Sequence, residues 1–137
     1  MKPNDSKVTT AADAAGIFLA EMPRKQNEER VFVLPLDANG AALSKPILVS
    51  VGHEDGTAVI DVGMIFRKAL MAGAEEVIVA HNHPSGSLKP SAADFKATAK
   101  LREAAALLGV RFLDHLIIGS PDCEDGRGYV SMMEYEH

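Results

Sequence analysis

A short polar signature placed directly after an apolar, β-branched run constrains this chain more than any other feature. Glu76-Val77-Ile78-Val79-Ala80 reads as a buried strand, and His81-Asn82-His83-Pro84-Ser85-Gly86 follows it without a break. Side chains two apart on an extended backbone point to the same side, so His81 and His83 can converge on one point. Pro84 removes a backbone donor and Gly86 tolerates positive φ, so the strand is expected to end by passing into a loop. Pro90-Ser91 then signals a helix start ahead of a long alanine- and leucine-rich run. Thr98, Leu101, Ala105 and Leu108 recur at helical spacing and mark one inward stripe. Asp94 precedes Thr98 by about one turn and shares that stripe, where an unpaired carboxylate is costly to bury. A metal cation is its natural partner. Two imidazoles and one carboxylate make three ligands and leave a fourth tetrahedral position for water, as in a catalytic rather than a closed zinc site.

Each fragment also has an ordinary explanation. Ser91-x-x-Asp94 matches a helix-capping box, and a His-x-His pair is common without any metal. The ordered combination carries the weight. His81-x-His83 followed by Ser91-x-x-Asp94 resembles the pattern of the JAMM (JAB, MPN+) metalloprotease domain. The wording His-Asn-His-Pro-Ser-Gly, with Leu113-Asp114-His115-Leu116-Ile117-Ile118-Gly119 downstream, is similar to the RadC branch of that family. The likeness runs from Glu29 to Ser131.

That resemblance implies a cytidine-deaminase-like α/β/α sandwich, an α/β fold with a mixed β-sheet flanked by helices. It implies a single zinc ion held by His81, His83 and Asp94, and hydrolysis of a peptide or isopeptide bond in a peptide or protein substrate. A glutamate just ahead of the first core strand would serve as acid and base, and Ser91 would donate to the oxyanion. The matching glutamate is Glu29. Glu28 stays open as the alternative, because a one-residue slip exchanges the directions of extended side chains. Two further readings stand beside the enzyme: a non-catalytic, metal-containing scaffold that binds proteins, and a DNA-repair-associated factor, the label the RadC family carries.

Composition narrows these choices. A chain of 137 residues has room for one ordinary domain, and residues 9–137 are expected to form it behind a flexible N-terminus over residues 1–8. The longer RadC-like proteins carry a helical segment ahead of the metal domain, and this sequence reads as the metal domain standing alone. No apolar run approaches the roughly 18 residues of a membrane span. Cys123 is the single cysteine, which excludes an intramolecular disulfide and suits a reducing cytoplasm. The net charge is −5 with scattered Lys and Arg, so charge predicts no nucleic-acid partner.

Taken in order, Thr10-Ala11-Ala12-Asp13 predicts a capped helix that Pro23 stops. Val31 to Leu36 and Pro46 to Val51 read as a hairpin around Asp37-Ala38-Asn39-Gly40, with Pro35 marking an edge or bulge. His53 reads as a loop histidine. Asp61 is expected to cap a helix whose stripe is Val62, Ile65, Phe66, Ala69 and Leu70, ending at Gly73. The family's usual His-Pro start to that helix is replaced by Ile60-Asp61-Val62. Arg111 to Ile118 and Tyr129 to Met132 read as strands. Asp114 and His115 point to opposite faces and cannot both reach one metal, so they are expected to be buried hydrogen-bonded groups or groups that stand behind the metal ligands and orient them.

Overall fold

The computed structural model describes residues 7–22, 28–52, 60–119 and 128–135. Pro23, His53, Cys123 and most of the N-terminal segment lie outside the described residues. The elements are α1 (Ala11–Leu19), β1 (Glu29–Leu36), β2 (Ile47–Gly52), α2 (Val62–Met71), β3 (Glu76–Asn82), α3 (Ala92–Leu108), β4 (Arg111–Ile118), β5 (Tyr129–Ser131) and α4 (Met132–Tyr135).

The strands form one mixed sheet in the order β2-β1-β3-β4-β5. β1 is antiparallel to both β2 and β3, β3 and β4 are parallel, and β5 returns antiparallel to β4. A parallel pair needs a crossover, which α3 supplies between β3 and β4. Every residue of β3 is buried, as expected for a central strand covered on both faces. On one face Phe18 of α1 packs with Phe32, Leu34, Leu36, Ile78, Ala80, Leu116 and Ile118. On the other, Ile65, Phe66 and Ala69 of α2 and Leu101 and Ala105 of α3 pack with Val31, Val33, Val77 and Val79. The molecule is therefore an α/β sandwich, a mixed sheet flanked by helices. By the period of two, His81 continues the Val77-Val79 row and faces α3.

The helix boundaries follow their local chemistry. Thr10 and Asp13 form a reciprocal capping box on α1, and Asp61 accepts from the backbone of Met64 at 3.0 Å to cap α2. Gly109 ends α3 in the left-handed region at φ 72°, which favours a residue without Cβ. Among the described residues no helix is long and apolar enough to cross a membrane.

Three details differ from the sequence reading. Pro35 lies in an internal strand, opposite Val77 of β3, and the irregularity of the hairpin falls between Val31 and Phe32 instead. Its carbonyl accepts from Leu43 at 2.9 Å, on the side away from β3. The missing N–H of the same residue faces that side too, so no β1–β3 ladder bond is lost. As expected, the strand before the signature ends ahead of Pro84, running on through Asn82, where His81 pairs with Val31 and Asn82 with Ile118. Leu70 and Leu108 are exposed, each in the last turn of its helix, beyond the buried stripe. Met132 starts the short α4 rather than extending β5, and its side chain is buried.

Leu101 anchors α3 to the sheet and is fully buried. Leu101→Ala is expected to lower stability by about 2–5 kcal/mol. The midpoint of urea unfolding reads this directly, and an unchanged midpoint would mean that α3 is not seated as described.

Candidate metal centre

The centre lies where β3 ends and α3 begins. His81 is the penultimate residue of β3, and His83 follows one residue beyond the strand. Pro84 then turns the chain, and Gly86, at φ 81°, donates its N–H to the His83 carbonyl at 2.8 Å. Leu88 of this loop packs so tightly on Gly119 that a Cβ there would fall 2.8 Å from Leu88 Cδ2. The loop leads into Ser91, whose side chain accepts from the Asp94 backbone at 3.2 Å while Asp94 Oδ2 accepts from the Ser91 backbone at 2.8 Å. This capping box fixes the Asp94 carboxylate at the head of α3.

Three polar side chains meet at one point. His81 Nε2 lies 3.0 Å from Asp94 Oδ1, and His83 Nε2 lies 3.0 Å from Asp94 Oδ2. The two Nε2 atoms are 3.3 Å apart. Among the described residues, His81, His83 and Asp94 are the set whose donor atoms could hold a metal ion. His81 and Asp94 are buried and His83 is partly open, so the centre is reached from the His83 side.

The chemistry of this donor set fits a cation. His83 Nδ1 donates to the Ser87 carbonyl at 3.0 Å, because a carbonyl can only accept. In the neutral ring this leaves the lone pair on Nε2, turned toward Asp94. The carboxylate brings charge to a place where burial alone would raise its pKa. Contacts with His81 and His83 outweigh that, and hold Asp94 far below the ordinary carboxylate range. His83 moves the opposite way, raised above its usual value chiefly by its hydrogen bond to Asp94. A proton on His83 can balance the carboxylate when no cation is near, and a divalent metal would replace it.

Two neighbours stand close behind the ligands. His115 is fully buried in β4, with its Nε2 2.9 Å from His81 Nδ1 and its Nδ1 2.8 Å from Thr98 Oγ1. Burial pushes His115 down to about 3, so it is neutral at physiological pH. Asp114, next to it, does not approach the centre. It accepts from Ser131 Oγ at 2.6 Å and from the backbone of Met133 at 3.3 Å, tying β5 and α4 to β4.

The glutamates sit on β1 and just ahead of it. Val31 pairs with His81, so Glu29, two residues earlier, shares the face of the histidines. It is half-buried, and desolvation raises its pKa against the pull of His81 and His83. Glu28 instead places its carboxylate 3.3 Å from the Arg30 guanidinium. Ser91, the N-cap of α3, is exposed.

Sequence reasoning missed the parts played by Asn82 and Thr98. Asn82 accepts from the Arg30 backbone at 2.7 Å and donates to the Glu28 carbonyl at 3.0 Å. It thereby clamps both sides of Glu29 to the end of β3. The available signal was an amide in a strand that is otherwise buried. For Thr98 the signal was a hydroxyl on a helix stripe that is otherwise apolar.

Comparison with known proteins gives the family. A family model described as the RadC-like JAB domain matches residues 8–137. A UPF0758 protein of Methanosarcina mazei is 37% identical over 128 residues, covering 93% of this chain and 52% of the relative. UPF0758 proteins of Flavobacterium johnsoniae and Porphyromonas gingivalis are each 41% identical, over 82% and 74% of this chain and 48% and 42% of their own lengths. The chain thus spans about half the length of the curated relatives it matches. A family match across nearly every residue that builds the sheet and the His-His-Asp centre leads to one conclusion: the chain belongs to the RadC-like JAB domain family.

Proposed function

We propose that this domain is a zinc-dependent hydrolase of peptide or isopeptide bonds. The observation that supports it is the convergence of His81, His83 and Asp94 on one point, with Glu29 on the same face of the sheet. Two imidazoles and a carboxylate, open on one side, suit zinc with one position left for water. Zinc, when bound, supplies Lewis acidity and lowers the pKa of a coordinated water toward about 7.

The chain's own residues carry the proton traffic. Glu29 takes a proton from the attacking water and returns it to the leaving amine. Its raised pKa suits that exchange, since a carboxyl of ordinary acidity is a poorer proton donor near neutral pH. Asn82 holds the backbone on either side of Glu29, which limits how far the carboxylate can wander. Ser91 Oγ accepts from the Asp94 backbone, which leaves its hydroxyl proton to be donated to the carbonyl oxygen of a substrate as charge develops there. The substrate is a peptide or protein segment reaching the centre from its open side. We place this chemistry in the cytoplasm, where the single Cys123 would stay reduced.

Two variants test the assignment. Glu29→Gln is expected to keep bound zinc and lose turnover of a quenched-fluorescent peptide pool by roughly 10²- to 10⁴-fold; wild-type turnover would remove Glu29 from the mechanism. Ser91→Ala is expected to cost about 1 kcal/mol of stability through the lost cap. It should also slow turnover by roughly 10²-fold in protein that is still folded, as loss of an oxyanion donor does. A stability loss with full turnover would leave Ser91 a cap alone.

A further inference from the structure

Behind His81 runs a line of hydrogen bonds that ends on the backbone of another ligand. His81 Nδ1 meets His115 Nε2 at 2.9 Å, His115 Nδ1 meets Thr98 Oγ1 at 2.8 Å, and Thr98 Oγ1 meets the Asp94 carbonyl at 3.0 Å. Thr98 and His115 are fully buried, so water does not settle their partners for them. We propose that Thr98 and His115 are positioning residues that set the tautomer of His81 for metal binding. This rests on the metal-centre part of the reading above and is independent of the hydrolysis.

The direction of each bond follows from what its atoms can do. The Asp94 carbonyl can only accept, so it takes the Thr98 hydroxyl proton. Thr98 Oγ1 then presents lone pairs and accepts from His115 Nδ1–H. His115 is fully buried between a ring nitrogen and a hydroxyl, where a charge would be costly, so it carries one N–H; its Nε2 is an acceptor and takes the proton of His81 Nδ1. His81 Nε2 is left with its lone pair, 3.0 Å from Asp94 Oδ1 and 3.3 Å from His83 Nε2. In the opposite order Thr98 would donate to His115, and His115 to His81. The His81 proton would then sit on Nε2, between the ring and Asp94, where a metal has to bind. Thr98 can support the first order because its hydroxyl oxygen donates and accepts at a single atom, and the backbone of Asp94 is there to take its proton.

Binding a cation at His81 Nε2 therefore places an N–H on His115 Nδ1, deep in the core, which among the described residues Thr98 Oγ1 is placed to receive. Without that oxygen the N–H would be buried and unpaired, and metal affinity would fall. Zinc affinity measured against a competing chelator, for wild type, Thr98→Val and Thr98→Ser, tests this. Nitrogen-15 NMR of the histidine rings in the zinc-loaded protein reads the tautomers. Thr98→Val is expected to bind zinc about 10- to 100-fold more weakly, and Thr98→Ser to lie close to wild type. His115 of the loaded wild type is expected to carry its proton on Nδ1. Equal affinities in all three proteins, an equal loss in Thr98→Ser and Thr98→Val, or a His115 proton on Nε2 would overturn the relay while leaving the metal centre standing. A wild type that takes up no zinc would overturn both.

Discussion

The carboxylate of Asp94, buried beside two imidazole nitrogens at 3.0 Å, is the interaction around which this structure is arranged. A charge in that place is tolerated only with a proton or a cation close by. The three groups are drawn from separate parts of the chain: the end of β3, the turn after it and the first turn of α3. Each is held by something other than the others. His81 lies in a paired strand, His83 is tied to Ser87, and Asp94 is locked by the Ser91 capping box. The centre is thus built before any ligand arrives, which is how a preorganised site avoids spending binding energy on ordering itself.

The sheet explains why this corner was available. β3 is buried on both faces, so a polar residue inside it must have a partner, and His81 is the first in its row without an aliphatic side chain. α3 crosses over the same face to bring β4 alongside β3 in parallel, and its N-terminus necessarily lies near the end of β3. Asp94 in the first turn also faces the positive end of the helix dipole, which favours a carboxylate there. The start of β1 arrives at the same place because β1 is antiparallel to β3, and Asn82 fastens it. Strand order, helix crossover and capping chemistry all direct polar groups to one end of one strand.

Much of this was legible in the sequence because the signals were local. The period of two placed His81 and His83 together, and the helical period placed Asp94 on the stripe of Thr98 and Leu101. Thr10, Asp61 and Ser91 announced their helices by capping chemistry that depends on a few neighbouring residues. What failed to show depended on distant partners. Pro35 looked like an edge residue, since nothing local reveals that its strand is flanked on both sides while its missing donor points where pairing with β2 has ended. Leu108 matched the stripe by spacing, yet the last turn of α3 projects past the core. The role of Thr98 needed His115, which arrives from another strand and was placed by the crossover rather than by spacing.

The central claim is that His81, His83 and Asp94 form a metal centre, and elemental analysis of purified, untagged protein tests it most directly. The account predicts about one zinc ion per wild-type chain, and its loss in a folded His83→Ala variant. Wild-type protein that holds no metal after zinc is supplied at neutral pH would contradict it, and so would a variant that retains the full amount.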